Sequence, residues 1–327
     1  MGVVSLVDVG GVIPNLALMK LSTHHKNAGH QVVLGWGGDL VYISSVFSWD
    51  QRRVQMYKEY RHDAVIGGSG VDVLTTLPAE VDDAYPDYSL YKDHYPKWRG
   101  VGIGFLSRGC LRNCPFCIVP AKEGKPRVVA TLDDLVNPEW GQYWKRPFVV
   151  VLDNNFLAIS KWANAVLDEM VGKQYDVCFS QGLDIRLVTP EIASKLAHVR
   201  YWNLKHTNTQ LTFAFDSAEV EPAFRRGVQY LIDAGIKPYR LQSFVLVGFG
   251  STLDDDIRRV NVIRAFGMDP FVMVYRDPVT GATNDRVLRH FARWVNRRLY
   301  KVCAWDSYRD YAKVKGQLKM EMNTNDC

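Results

Sequence analysis

Phe148-Val149-Val150-Val151-Leu152 is apolar at every position and stops at Asp153-Asn154-Asn155. A strand without polar alternation buries both faces, as strands do in a parallel sheet covered by helices. The unit recurs. Val101 to Leu106 precedes it, and Val177 to Ser180, Leu211 to Asp216, Leu241 to Val247 and Phe271 to Tyr275 follow it. Helical stretches separate most of these runs. Ser160 can cap a helix through about Lys173, with apolar Trp162, Val166, Leu167 and Met170 on it. Thr189-Pro190-Glu191 is a helix start, with a hydroxyl cap, proline at the first position and an acid in the first turn. Glu219 to Ala234 is stopped by Gly235, and Thr252-Leu253-Asp254-Asp255 opens a helix that stops at Gly267. Asn284 to Tyr300 is the last helix. Six such units predict an α/β fold with a partial (β/α)6 TIM-like barrel, two units short of a closed one.

Ahead of these units, residues 1–98 alternate in the same way on a smaller scale. Val3 to Val9, Val32 to Leu34, Val41 to Ser45 and Asp63 to Ile66 are strand candidates. Helices are expected over Asn15 to Ala28, ended by Gly29, and over Trp49 to Tyr60. Glycines at strand ends, Gly10-Gly11 and Gly67-Gly68-Ser69-Gly70, complete the picture of a small open parallel sheet. That glycine run lacks both the G-x-G-x-x-G spacing and the Lys-Ser/Thr of a phosphate loop. Prolines and loosely alternating acids and tyrosines mark 71–99 as a linker, a surface strap with partly buried tyrosines. The expected division is an N-terminal sheet domain over 1–70, the linker over 71–99, the barrel over 100–283, and a basic helix with tail over 284–327.

Active sites of parallel β/α folds collect at the C-terminal ends of strands. That rule selects the cysteines after the first barrel strand, Asp153-Asn154-Asn155 after the second, and Gln181, Asp184 and Arg186 after the third. It then selects Asp216 and Ser217, Gly248 and Phe249, and finally Tyr275, Arg276 and Asp277. The cysteines stand as Cys110-x3-Cys114-x2-Cys117. Three thiolates within one short loop can hold three corners of an iron–sulfur cluster, because soft sulfur suits iron. One iron would lack a protein ligand, and a small molecule could bind there. Zinc is the competing metal, but structural zinc wants four ligands, and no C-x2-C or H-x3-H partner follows. Cys178, inside a strand, reads as a buried apolar residue. Cys303 and Cys327 lie far away, which speaks against a second complete cluster.

The spacing, with aromatic Phe116 before the last cysteine and a strand ahead of the loop, resembles the radical S-adenosylmethionine (SAM) superfamily. The resemblance implies a 4Fe-4S cluster on Cys110, Cys114 and Cys117, with SAM on the open iron. It further implies one-electron cleavage to a 5′-deoxyadenosyl radical and hydrogen abstraction from a substrate. An external flavodoxin- or ferredoxin-like electron donor is implied with it. Asp153, Asn154 and Asn155 occupy the place where that superfamily often has Gly-Gly-Glu for the SAM amino group. Arg186 is the choice for the SAM carboxylate, since a guanidinium matches a carboxylate bidentately; a salt bridge to Asp184 or Asp153 is the alternative. Gln181 or Asp216 would bind ribose, although Asp216 could equally cap a helix. Gly248 and Phe116 would lie near adenine, and Tyr275 joins the same cofactor-binding set.

The N-terminal stretch Pro14 to Leu18, Ala28 to Val32 and Gly67-Gly68 is similar to the Rossmann-like domain of cobalamin-dependent radical SAM proteins. The D-x-H-x-x-G signature that offers cobalt a histidine is absent, and His24, His25 and His30 stand in or beside the first helix. The expectation is therefore a degenerate Rossmann-like domain and a hydrogen-abstracting enzyme. A cobalamin-dependent methyltransferase is the alternative, and a non-catalytic metal-binding module the second.

Composition narrows the setting. Of the 327 residues 47% are apolar and 23% charged, values of an ordinary soluble protein. No apolar run reaches membrane-spanning length, no secretory leader is visible, and clustered thiols fit a reducing interior, so a cytoplasmic protein with no membrane partner is expected. The net charge of +5 permits an anionic substrate. Arg286, Arg289, Arg293, Arg297, Arg298 and Lys301 around Phe291 and Trp294 read as an amphipathic helix with a solvated basic face, or as a surface for nucleic acid.

Overall fold

The computed structural model describes residues 2–277 and 286–309. They form two compact units, one of residues 2–181 with 198–209, the other of residues 182–197, 210–277 and 286–309. Both are α/β and built on parallel sheets.

The first unit opens with β1 (Val3–Val9), α1 (Leu16–Asn27), β2 (Gln31–Leu34), β3 (Leu40–Ser45), α2 (Gln51–Tyr60) and β4 (Val65–Gly67). The four strands make a parallel sheet in the order β2-β1-β3-β4. Asn15 starts α1: its Oδ1 accepts the Ala17 and Leu18 amides at 3.1 and 3.4 Å, and its Nδ2 donates to Ser44 Oγ at 3.0 Å. The helix is thereby registered on the end of β3.

The linker carries α3 (Ala79–Asp82) and a run of tyrosines that act as bolts. Tyr91 donates to Asp8 Oδ2 at 2.7 Å near the end of β1, and Tyr95 to the Gly11 carbonyl at 2.8 Å just past it. Tyr88 donates to the Leu135 carbonyl and accepts the Ile103 amide. Burial pushes the Asp8 carboxyl up, against the Tyr91 bond, which favours its charge.

Then come β5 (Val101–Gly104), β6 (Ser107–Arg108), α4 (Val119–Lys122), β7 (Arg127–Val128), β8 (Phe148–Val151), α5 (Ser160–Lys173), β9 (Asp176–Phe179) and β10 (Arg200–Tyr201). A second parallel sheet runs β10-β9-β8-β5, while β6 and β7 form a short antiparallel pair. β5, β8 and β9 are buried along their whole length, as their unbroken apolar runs require. One core joins the two sheets of this unit. Val4 and Leu6 of β1 and Leu18 and Met19 of α1 share it with Val101, Ile103, Phe148, Val150 and Cys178.

The second unit contains α6 (Pro190–His198, its last residue outside the unit), β11 (Leu211–Ala214), α7 (Glu221–Asp233), β12 (Leu241–Val247), α8 (Leu253–Ala265), β13 (Asp269–Val274) and α9 (Arg286–Asn296). Its strands pair in parallel as β11-β12-β13. Asn296 of α9 closes on β13 through both amide atoms, accepting the Val272 amide at 2.7 Å and donating to its carbonyl at 2.9 Å.

Several expectations hold in detail. Thr189 Oγ1 accepts the Ile192 amide at 3.2 Å, and Thr252 and Asp255 cap α8 reciprocally. Others are corrected. Ser160 does not cap α5 but is its first residue; a tight turn over Phe156–Ala158 delivers the chain directly. The last helix ends at Asn296 rather than Tyr300, because Arg298 turns left-handed at φ 56°; its expected start at Asn284 lies outside the described residues. β10 is an added strand that takes the outer place beside β9, so β11 opens a separate sheet. Two residues are too short to leave a periodic signal.

Candidate functional site

The expected cluster ligands sit in the loop between β6 and α4, beyond the C-terminal end of β5. Gly109 opens the loop at φ 88°, and a Cβ there would strike the Gly124 and Lys125 carbonyls. The returning chain is that close because the Cys110 amide bonds the Gly124 carbonyl at 3.1 Å. Cys117 folds back by its amide onto the Cys114 carbonyl at 3.0 Å. Cys110 and Cys114 are half-buried and Cys117 exposed, and none of the three is in a disulfide. Phe116 between them is half-buried.

The donor set fits an iron–sulfur cluster. Two N–H groups point at Cys110 Sγ, the Arg112 amide at 3.3 Å and Asn155 Nδ2 at 3.4 Å, an arrangement that suits a sulfur carrying negative charge. Among the described residues no three His, Cys, Asp or Glu side chains close on one point as a single ion requires. A four-iron cluster instead takes each thiolate at its own corner.

Asp153, Asn154 and Asn155 all reach into this loop. Asp153 is 3% exposed, and its two carboxylate oxygens accept the Leu106 and Ser107 amides at 2.7 Å and Ser107 Oγ at 2.6 Å. Burial nonetheless pushes its carboxyl up to about 6, against those bonds. Asn154 Oδ1 accepts the Gly109 amide at 3.0 Å. Asp153 and Asn154 brace the cysteine loop from the neighbouring strand, a role the sequence did not signal. Ser107, which completes the brace, was not singled out either. Gln181, at the end of β9, is exposed.

The helix that follows the loop, α4, reaches the C-terminal rim of the first sheet. Lys122 of α4 donates to Ser69 Oγ at 2.5 Å, and burial lowers its ammonium from the ordinary value. The glycines there serve close packing: Gly68, at φ 100°, and Gly70 lie against the backbone of Ser45 and Phe47. The loops after β1, β3 and β4 present Val12, Val46 and Leu74, which are 72%, 46% and 72% exposed. Residues 10–15, 45–50 and 67–75 contain no histidine. The histidines weighed earlier gather at the opposite end of the sheet, where His25 Nε2 bonds Tyr42 Oη at 3.0 Å and packs on His24 and His30. Burial, and then the two neighbouring imidazoles, push His25 down.

In the second unit Arg186 lies against Asp184 as a two-pronged pair, Nε to Oδ1 at 2.6 Å and Nη2 to Oδ2 at 3.1 Å. This is the salt bridge weighed as the alternative to a SAM carboxylate. Asp216 accepts the Leu246 amide at 3.0 Å and is pushed up by burial. It does not cap a helix by a described bond; it ties the end of β11 to β12. Gly248 turns at φ 81° with Leu288 Cδ1 where a Cβ would stand, and Tyr275 packs on Phe249 at 4.8 Å between ring centres. Beneath these residues lies Arg259, 1% exposed, which the sequence reading passed over. It donates to the Phe215 and Leu246 carbonyls at 2.9 and 2.8 Å and pairs with Asp256. Its position on the inward stripe of α8, beside Val260 and Ile263, was the available signal.

The basic face of α9 is present. Arg286, Arg289 and Arg293 on it are exposed, as is Arg297 just past its end, while Arg298 and Lys301, beyond the helix, pair with Asp269. Cys178 is buried in β9, its thiol pushed up to about 12 by that burial. Cys327 lies outside the described residues. No helix among them is long and apolar enough to cross a membrane.

No known protein family and no curated protein matches the sequence. Solved structures do match the fold. The chain is similar to the radical S-adenosylmethionine methyltransferase TsrM from Kitasatospora setae, solved with cobalamin and a [4Fe-4S] cluster, at a TM-score of 0.62 and 14% identity over 85% of this chain and 77% of that one. The same enzyme with tryptophan substrate and the SAM analogue aza-SAM matches at a TM-score of 0.60 and 14% identity, over 84% and 73% of the two chains.

Proposed function

From this shared fold we propose that the chain is a radical SAM methyltransferase that uses both a 4Fe-4S cluster and cobalamin. The weight thus moves from the expected cobalamin-free hydrogen abstraction to its alternative. The observation that carries the reading is the contact of α4, the helix that follows the cysteine loop, with the rim of the first sheet, Lys122 to Ser69. It would bring the cluster ligands toward the edge where parallel sheets bind their ligands. The likeness to a methyltransferase solved with both groups supports it. The finer architecture, a small Rossmann-like domain before a partial (β/α)6 barrel, belongs to the same proposal and rests on the parallel pairing and strand–helix alternation.

Cys110, Cys114 and Cys117 would hold the cluster, with Asp153 and Asn154 fixing their loop and Asn155 reaching the Cys110 sulfur. The exposed Val12, Val46 and Leu74 would offer cobalamin apolar contact. When bound, the cluster would supply electron transfer, fed by an external flavodoxin- or ferredoxin-like donor, and cobalamin would carry the methyl group.

The test is anaerobic reconstitution with iron, sulfide and hydroxocobalamin, followed by gel filtration and metal analysis. SAM and a reductant are then added, and nucleoside products are separated by chromatography. Iron and cobalt that co-elute with the protein, and loss of iron in Cys114→Ala, are expected. Iron without cobalt, together with formation of 5′-deoxyadenosine alone, would return the reading to hydrogen abstraction.

A further inference from the structure

We propose that Asn155 is a positioning residue that sets the reduction potential of the cluster through its bond to Cys110. The inference rests on the reading of Cys110, Cys114 and Cys117 as cluster ligands and goes beyond it. β8 and β5 are parallel neighbours, and the Leu152 amide extends their ladder to the Gly104 carbonyl at 2.8 Å. Past that point the three residues after β8 address successive parts of the loop after β5. Asp153 takes the amides of 106 and 107, and Asn154 takes the amide of 109. With the main chain held at both places, the third side chain meets a sulfur. Asn155 Nδ2 stands 3.4 Å from Cys110 Sγ, and the residue is 5% exposed.

An N–H aimed at a ligating sulfur withdraws charge from it. The reduced cluster carries one more negative charge than the oxidised one, so the donor stabilises the reduced state and raises the potential. Burial strengthens the effect, because water does not screen the dipole. The Arg112 amide gives the same sulfur a second donor, one that no side-chain substitution removes. Asn155 is therefore the adjustable part of the pair. The Asp-Asn-Asn run then acts on the cluster's ligands, where its first-residue carboxylate is already fully engaged by the loop.

The experiment is a redox titration followed by electron paramagnetic resonance on reconstituted wild type, Asn155→Ala and Asn155→Asp, with iron and sulfide counted in each. The midpoint is expected to move to more negative potential in Asn155→Ala. It should move further in Asn155→Asp, which keeps the shape, removes the donor and adds a charge. Wild-type potential in either variant with a full cluster overturns the proposal. So does loss of the cluster from both variants, which would make Asn155 a structural brace. A wild type that takes up no iron fails the underlying reading instead, and it does so before any variant is compared.

Discussion

Asp153 is where a residue's surroundings pull hardest in two directions. Three donors favour its charged form, and complete burial opposes it with the larger effect. The unfolded carboxyl releases its proton at the ordinary 3.8 and the folded one at about 6. The folded state therefore holds a proton that the unfolded state has lost across that window. Stability from this group is greatest below about pH 4 and falls by about 3 kcal/mol as pH rises through 6. Asp153→Asn sets an amide donor against the Ser107 or Leu106 amide, at a cost of about 1–3 kcal/mol. It also removes the titration. Urea unfolding should show the wild type's advantage over the variant shrinking from about pH 4 to pH 7, to nothing or to a reversal; an advantage that grows would refute the assignment. The sequence marked Asp153, Asn154 and Asn155 correctly as residues at a strand end. It could not say which way they face. Direction depends on β5 being the partner of β8, a pairing no local pattern encodes. Arg186 is the opposite case: Asp184, two residues away, made its pairing legible, and the salt bridge is there.

Among the elements, α8 shows how a helix can secure strand ends. Its start was readable as Thr252-x-x-Asp255, and both halves of the box form. Its consequential residue is Arg259, which bonds the carbonyls that end β11 and β12. Arg259→Met should cost about 3–5 kcal/mol, since it leaves Asp256 buried without its countercharge. Thr252→Ala should cost only about 1 kcal/mol. Denaturation midpoints of the two variants test the ranking, and an Arg259→Met variant no weaker than Thr252→Ala would refute it. The long apolar strands were legible for the reason given at the outset: burial on both faces leaves an unbroken run. The short elements β6, β7 and β10 were not, because two residues carry no period and their pairing is set by distant partners.

At the scale of the whole molecule, the first unit takes its core from both of its larger sheets. Val4, Leu6, Leu18 and Met19 cover apolar side chains of β5, β8 and β9, and the linker tyrosines bolt over the end of β1. Deleting residues 1–70 should therefore not release a smaller soluble protein. Loss of near-ultraviolet circular dichroism and aggregation of residues 71–327 are the expected outcome, and a cooperative unfolding transition in that fragment would refute it.

That shared core also bears on descent. A lineage with no further use for a ligand at the rim would still have to inherit the strands beneath it, because losing them would strip the neighbouring sheet. Drift would be confined to the positions that face outward. Persistence of the sheet would thus be a record of architecture, and loss of use would be free to show only at exposed rim positions such as Val12, Val46 and Leu74.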